Sequence, residues 1–347
     1  MTAIRWICWF CLAPTLALGQ IAAQGALENG ASFAARDTLA CGEDLSSDAQ
    51  QCLAGLAWTP AAFEVELETA PPGCGDWLVR FPSARPIGNE INDRVSLEWF
   101  AARDDHGDVR PARAVVVVHE SGRQMTAGRI IARGFNSHGL HAFLIHLPGY
   151  GARRDETLTD VERGLDSMQQ AIADVRRARD AVAALPVVDS TVVGVQGTSL
   201  GGFVTSTVAG LDRGYDRVFI LLAGGNLEEV VFNGAKDAAK FRAKLAAAGV
   251  TEKQIKELAR QVEPMRLAHR IDPAATWLYS GKFDDVVPPR CSHALAQAAS
   301  LPAGHHVEMP ADHYSGVLYL PQVVRKFADL MADPRPLTPP DAATGRP

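Results

Sequence analysis

The chain has 347 residues, of which 47% are hydrophobic and 21% are charged, and its formal net charge is -6 at pH 7. A chain of this length can bury a large core, and its 30 glycines and 21 prolines are ordinary proportions that exclude collagen-like and wholly disordered proteins. Because 40 acidic residues balance 34 basic ones and no Lys/Arg-rich run occurs, the composition predicts a soluble globular protein without a nucleic-acid-binding surface.

Residues 1–25 have the pattern of a secretory signal peptide. Arg5 precedes a short apolar stretch at 6–18, and small residues at 17–19 and 23–25 offer cleavage sites. The stretch is shorter than the roughly 20 apolar residues that a membrane-spanning helix needs, and a retained N-terminal anchor is the alternative. We therefore expect export to the periplasm or the medium, with no stable membrane insertion after cleavage.

Four cysteines follow the predicted signal peptide: Cys41, Cys52, Cys74 and Cys291. An even number of cysteines in an exported chain favours disulfides. The short polar segment between Cys41 and Cys52 predicts that these two pair, which leaves Cys74 with Cys291 as the second pair unless Cys291 is a buried free thiol. No CxxC pair occurs among these four cysteines, so a structural zinc site is not expected.

Residues 104–331 alternate short apolar strands with helical patterns and form the predicted main domain. The predicted strands lie at 114–119, 142–146, 191–196, 217–222, 276–280 and 305–309. Strands joined through helices form a mostly parallel sheet with helices on both faces. The N-terminal extension, residues 26–103, is expected to add two leading strands, at 63–67 and 95–100, to the same sheet.

Two segments depart from this alternation. Residues 225–271, the helical insertion, contain a capping-box pattern at 251–254 and a helix stop at Pro264. An insertion between two strands, beside their C-terminal ends, is a candidate lid, and simple helical packing is the alternative. The Pro-rich tail, residues 332–347, is expected to be disordered.

A Gly-x-Ser-x-Gly pattern lies between a β-branched strand and a helix and centres on Ser199. A serine at such a tight turn has strained backbone geometry, and Gly197 and Gly201 let strand and helix approach because they lack side chains. The turn places the hydroxyl at a helix N-terminus, where the N–H of Leu200 and the helix dipole favour developing negative charge. The pattern therefore predicts a nucleophilic serine.

In this context the chain resembles the α/β-hydrolase superfamily over roughly residues 114–330. That family orders its catalytic groups as Ser, then Asp or Glu, then His. Residues 281–288 (GKFDDVVP) are similar to the family's G-x-x-D-x-x-V-P loop, and His313 follows the last predicted strand. The resemblance implies that Asp284 is the acid, with Asp285 as the alternative, and that His313 is the base.

The resemblance also implies a second oxyanion donor in the loop after His119. The family often has His-Gly there, whereas this chain continues with Glu120 and Ser121, which is similar to dienelactone hydrolases, whose nucleophile is a cysteine. The N–H of Ser121 is the first candidate, and that of Glu120 is the second. Residues 147–151 (LPGYG) resemble the family's D-x-P-G-Y-G stretch, and His146 stands where Asp is common.

Together these patterns predict an α/β-hydrolase fold with a small helical lid, and an exported serine hydrolase that cleaves carboxylic esters through an acyl-enzyme. The expected substrate is a small-molecule or polymer-borne ester. No cofactor is needed, and the histidines lack ligand spacing such as HExxH. A peptidase, thioesterase or acyltransferase with the same triad is the alternative, as is a non-catalytic binding member of the fold. Neither the acyl and alcohol groups nor the oligomeric state follows from the sequence.

Overall fold

A computed structural model describes residues 27–156 and 166–333, with the exception of the side chain of Asp166. The predicted signal peptide lies outside the described residues, as do positions 334–347 of the Pro-rich tail. Within the two described ranges, every helix is too short or too polar to cross a bilayer.

One ten-stranded sheet runs through the molecule, in the order β1-β2-β3-β4-β6-β5-β7-β8-β9-β10. Its strands are β1 (Ser32–Arg36), β2 (Ala62–Thr69), β3 (Trp77–Pro82), β4 (Arg94–Phe100), β5 (Ala112–Val118), β6 (His141–His146), β7 (Val188–Thr198), β8 (Arg217–Leu221), β9 (Thr276–Gly281) and β10 (His306–Met309). Strands β5 to β10 are parallel, while β1 to β4 pair antiparallel and join the parallel part through β4 and β6. The predicted mostly parallel sheet is confirmed.

Ten α-helices connect or flank these strands among the described residues. They are α1 (Ser47–Leu56), α2 (Glu90–Asp93), α3 (Thr126–Ser137), α4 (Asp166–Ala183), α5 (Leu200–Asp212), α6 (Leu227–Asn233), α7 (Lys236–Ala247), α8 (Glu252–Gln261), α9 (Pro289–Ala298) and α10 (Leu320–Ala332). Short 3-10 helices lie at Gly151–Arg153, Pro264–Arg266, Ala268–Arg270 and Ser315–Tyr319.

Strand β5 shows why helices cover both faces of the sheet. Val116 and Val118 belong to the apolar core under α4 and α5, whereas Val115 and Val117 belong to a second core under α3 and α10. All four valines are fully buried. Successive strand residues point to opposite faces, so an unbroken run of valines needs an apolar layer on each side.

The N-terminal extension continues the sheet on its antiparallel edge. The two strands expected there are present as β2 and β4, and β1 and β3 complete the edge without having been predicted. β4 pairs with β6, for example at Leu97 opposite Ile145. The extension and the parallel strands therefore share one sheet.

The predicted disulfides are wrong, because all four described cysteines are free thiols and none lies at disulfide distance from another. Cys52 lies on the buried face of α1, and its thiol contacts the carbonyl oxygen of Gln261 at 3.9 Å. Cys74 instead accepts a hydrogen bond from Arg129 at 3.7 Å. Cys291 is buried in α9, and burial raises the pKa of its thiol to about 11. The short segment between Cys41 and Cys52 suggested a disulfide. Cys52 instead packs into the core on the buried face of α1, and the two thiols stay apart.

Candidate active site

Ser199 occupies the turn between β7 and α5, with φ 52° and ψ -114°. A positive φ is strained for a residue with a side chain, so the surrounding structure must hold it there. The N–H of Ser199 donates to the carbonyl oxygen of Leu221 at 2.9 Å, and the N–H of Phe203 donates to that of Ser199 at 3.1 Å. These bonds fix the serine at the C-terminal end of β7 and at the first turn of α5.

The glycines on either side of Ser199 are required by close packing. A Cβ on Gly197 would collide with the carbonyl oxygen of Gly201 and the hydroxyl of Thr205. A Cβ on Gly201 would collide with the carbonyl oxygen of Val118 in the neighbouring strand. The geometry therefore agrees with the prediction that both positions must lack side chains for strand and helix to approach.

Three side chains from three different loops form a continuous hydrogen-bonded chain. The hydroxyl of Ser199 lies 3.0 Å from Nε2 of His313, and Nδ1 of His313 lies 2.7 Å from Oδ2 of Asp284. An ionised carboxylate only accepts hydrogen bonds, so Nδ1 carries the proton and Nε2 is free to accept from the serine. The carboxylate of Asp284 is buried, and the imidazole of His313 is only slightly exposed.

The two adjacent aspartates after β9 have different environments. Asp284 uses Oδ2 for His313, and its Oδ1 accepts the N–H groups of Val286 at 2.9 Å and Val287 at 2.8 Å. Asp285 instead pairs with Lys236 at 3.0 Å, and 47% of its side chain is exposed. The structure therefore brings the first candidate acid, and not its neighbour, to the histidine.

Asp312, the residue before His313, orders the loop after β10. Its Oδ1 accepts hydrogen bonds from the N–H groups of Tyr314 and Ser315 at 3.0 and 2.7 Å and from the hydroxyl of Ser315 at 2.8 Å. These bonds lower the pKa of Asp312 to about 2, so the carboxylate stays ionised. Hydrogen bonds between its own residues therefore fix the conformation of the loop that carries His313.

The candidate oxyanion donors lie beside Ser199. Leu200 and Ser121 both line a cavity at this serine, and among the described residues neither backbone N–H has an acceptor. The side chain of Glu120 points elsewhere, since its two oxygens accept N–H groups from the first turn of α3 at 3.1 and 3.0 Å. An anion at a helix N-terminus is favourable, which explains a glutamate beside the active-site loop.

His119 supports the same loop, a role that the sequence analysis missed. Its Nδ1 donates to the carbonyl oxygen of Glu120 at 2.6 Å, and its Nε2 accepts the N–H of Leu147 at 3.1 Å. Burial lowers the pKa of His119 to about 3, so the ring is neutral and keeps this tautomer. The neutral ring ties the loop after β5 to the loop after β6.

His146 belongs to a buried polar network. It stands at the position where the family that the chain resembles commonly has Asp. Its Nε2 donates to Glu98 at 2.9 Å, and the guanidinium of Arg129 donates to the same carboxylate at 2.6 Å. Burial acts to raise the pKa of Glu98, but these two partners outweigh it and lower the pKa to about 2. Nδ1 of His146 accepts the N–H of Ala152 at 3.0 Å. The histidine thus holds the loop after β6 and does not contact Ser199.

The helical insertion lies over this site. It contains α6, α7 and α8, and Thr251 and Gln254 form the predicted capping box at the start of α8. Phe241 and Leu245 of α7 line cavities that reach Ser199 or the neighbouring Leu200. Among the described residues, no group of three or more His, Cys, Asp or Glu side chains is placed to hold a metal ion.

No protein-family model and no curated protein matches this chain. Solved structures do: an acetyl xylan esterase from Paenibacillus sp. R4 has a TM-score of 0.56 at 16% identity, over 84% of this chain and 96% of that one. The alpha/beta hydrolase GrgF from Penicillium sp. sh18 has a TM-score of 0.52 at 14% identity, over 73% and 96%. A puromycin-hydrolyzing peptidase from Mycobacterium tuberculosis has a TM-score of 0.53 at 17% identity, and the match covers 78% of this chain and 45% of that one.

Proposed function

We propose that this chain, which has an α/β-hydrolase fold, is a serine hydrolase that cleaves carboxylic esters through an acyl-enzyme. The observation that carries the proposal is the hydrogen-bonded chain from the hydroxyl of Ser199 through His313 to Asp284. This is the arrangement by which a weakly acidic hydroxyl becomes a nucleophile, because a positioned base takes its proton during attack.

In the first half of the reaction, Ser199 Oγ attacks the acyl carbon while its proton passes to Nε2 of His313. Asp284 stabilises the imidazolium that forms, and the N–H groups of Leu200 and Ser121 donate to the oxyanion. The ester C–O bond then breaks, and His313 gives its proton to the departing alcohol oxygen. Ser199 is left acylated.

In the second half, His313 takes a proton from a water molecule that attacks the acyl carbon. The tetrahedral intermediate collapses, the bond from Ser199 Oγ to the acyl carbon breaks, and the protonated His313 returns the proton to the serine oxygen. A carboxylic acid and the free enzyme result.

We propose ester hydrolysis over other acyl chemistry on the same residues. Two solved structures that the fold matches are described as acetyl xylan esterases, which supports this choice, whereas another is described as a peptidase. A peptidase, thioesterase or acyltransferase would use the same attack by Ser199, so the pocket decides among them. A non-catalytic member is disfavoured because the Ser199–His313 bond, at 3.0 Å, is already in place.

The test is labelling of the purified protein with a fluorophosphonate, followed by intact mass and peptide mapping, together with a panel of ester, amide and thioester substrates. We expect one adduct on Ser199 and ester hydrolysis that falls by about 10⁴- to 10⁶-fold in Ser199→Ala and His313→Ala. The exposed Ser47→Ala is the matched serine control and should retain full activity. Ester hydrolysis in Ser199→Ala within a few-fold of the parent would contradict the proposal.

The neighbouring aspartates provide a second matched pair. Asp284→Asn should lower kcat by several orders of magnitude because the histidine loses its orienting carboxylate, and Asp285→Asn should change kcat by less than about tenfold.

Export is part of the proposal, and it is carried by the pattern of residues 1–25. The intact mass of protein recovered from the periplasm or the medium would show cleavage of that segment, and an uncleaved mass would contradict it.

A further inference from the structure

A narrow apolar cavity runs from Ser199 beneath the helical insertion, and its volume is about 300 Å³. Phe203 of α5 and Val287 of the loop after β9 form one wall. The insertion supplies the opposite wall, which includes Val230, Phe241, Leu245, Ile255, Leu258 and Val262. Among the described residues, no lysine or arginine lines this cavity, and Asp237 of α7 supplies its one carboxylate.

A second cavity of about 550 Å³ also reaches Ser199 and shares Phe241 and His313 with the first. Tyr314 and Val317, from the loop that follows His313, form part of its lining. Asp237 and Lys240 of α7 add charged groups. The first cavity is therefore lined mainly by apolar side chains, and the second is larger and also carries several charged side chains.

The position of the catalytic groups assigns the two halves of an ester to these arms. His313 lines both cavities, but Tyr314 and Val317 of its loop line only the larger one. Because His313 must protonate the departing oxygen, we assign the alcohol to the side of this loop. Ser199 Oγ attacks the acyl carbon while the N–H groups of Leu200 and Ser121 bind its oxyanion. Ser121 lines both cavities, whereas Leu200 lines the apolar one and not the larger one. The acyl chain is therefore directed into the apolar cavity.

We infer that this apolar cavity is an acyl-chain site, which makes the substrate an ester of a medium-length fatty acid with a polar alcohol. The inference rests on the proposed function. An apolar cavity of about 150 Å³ holds one benzene molecule, so a cavity of twice that size accommodates a chain of about six to ten carbons. An acetyl group would leave most of these walls without a partner.

The first experiment measures kcat/KM of the full chain for p-nitrophenyl acetate, butanoate, hexanoate, octanoate and dodecanoate. Burial of one methylene is worth about 0.8 kcal/mol, or about fourfold in kcat/KM, so hexanoate, with four more methylenes, should exceed acetate by about 200-fold. Dodecanoate should fall below octanoate because its chain is longer than the cavity. A parallel series of alkyl acetates should show no such rise, because there the chain is on the alcohol.

Variants of Leu258 on α8 test the wall itself. Leu258→Trp fills the cavity and should lower kcat/KM for octanoate by at least about tenfold, with acetate changed by about twofold or less. Leu258→Ala enlarges the cavity and should move the preference to longer chains. Lys253→Trp, on the same helix but outside this cavity, is the matched control and should leave the chain-length profile unchanged.

The outcomes separate this inference from the proposed function. If kcat/KM stays constant or falls as the acyl chain lengthens, while Ser199 is still labelled by fluorophosphonate, the acyl-chain site is overturned and the hydrolase proposal stays intact. A rise in the alkyl acetate series alone overturns the assignment of the cavity to the acyl group. An equal effect of Lys253→Trp and Leu258→Trp also overturns it. No ester hydrolysis and no label on Ser199 overturns both.

Discussion

The N-terminal extension and the helical insertion are both additions to the parallel sheet, but different interactions fasten them. In the extension, Asp37 is buried and receives two hydrogen bonds from the guanidinium of Arg177 on α4, at 2.9 and 2.6 Å. In the insertion, Lys236 pairs with Asp285 at 3.0 Å, and their side chains are 42% and 47% exposed. Buried charges fasten the extension to α4, whereas the ion pair that α7 makes beside the active site is exposed.

The two fastenings differ in strength. A buried charge is costly unless every partner is in place, so the pair of Asp37 and Arg177 requires one arrangement of the extension on α4. Exposed pairs contribute about 0–1 kcal/mol each, so α7 is held over Ser199 mainly by its apolar contacts. The C-terminal part of the insertion is fastened more firmly, because Arg266 and Arg270 pair with Asp48 and Asp44 of the extension. The contrast is therefore between the extension on α4 and α7 over Ser199.

Loss of the buried pair should have the largest effect. Asp37→Ala leaves the guanidinium of Arg177 buried without its main partner and should lower the free energy of unfolding by about 3–5 kcal/mol. Denaturant unfolding measures this change. The matched control is Glu66→Ala in the same extension, which removes an exposed pair with Arg94 and should cost about 1 kcal/mol or less. Equal losses in the two variants would contradict the comparison.

The same carboxylate predicts a dependence of stability on pH. Burial acts to raise the pKa of Asp37, but the hydrogen bonds from Arg177, Ala61 and Trp58 outweigh it and lower the pKa below the ordinary value of 3.8. A lowered pKa in the folded state contributes stability above about pH 4 that is lost as the pH falls through the lowered value. Unfolding of the parent and of Asp37→Asn between pH 7 and pH 2 should therefore converge on acidification. A constant difference would show that Asp37 does not titrate in this way.

Contacts between the insertion and the histidine loop should give the smallest effect on stability. Tyr314, next to His313, donates its hydroxyl to Asp237 of α7 at 2.8 Å, and burial together with that carboxylate raises the pKa of Tyr314 to about 12. Tyr314→Phe removes only this bond and should change the free energy of unfolding by about 1 kcal/mol or less. It should lower kcat by about three- to tenfold, because a small displacement of His313 weakens attack by Ser199.

The measurements for this variant are thermal unfolding, kcat and the rate of fluorophosphonate labelling. Lys253→Ala on α8 is the control, because Lys253 lines a groove away from Ser199 and should leave all three unchanged. If Tyr314→Phe unfolded much more readily with kcat unchanged, the contact would serve stability and not catalysis, which would contradict the comparison between the two segments.

Much of the candidate site could be predicted because its signals are local. Ser199, Asp284 and His313 each follow a strand of the parallel sheet, and the carboxyl ends of such strands meet at one edge. The strained turn at Ser199 depends on glycines two residues away on each side. By contrast, the support from His119 and His146 was not predicted, because their partners Leu147 and Glu98 come from neighbouring strands or the loops after them.

The amino-acid sequence alone determined the strand and helix pattern, the turn at Ser199 and the order of the three catalytic candidates, since these depend on residues close together in the chain. Only the tertiary structure decided which aspartate meets His313, that the cysteines stay unpaired, and that Arg177 reaches Asp37 across 140 positions. Contacts between distant residues depend on how the elements pack. Packing is a property of the whole core, and no short pattern records it.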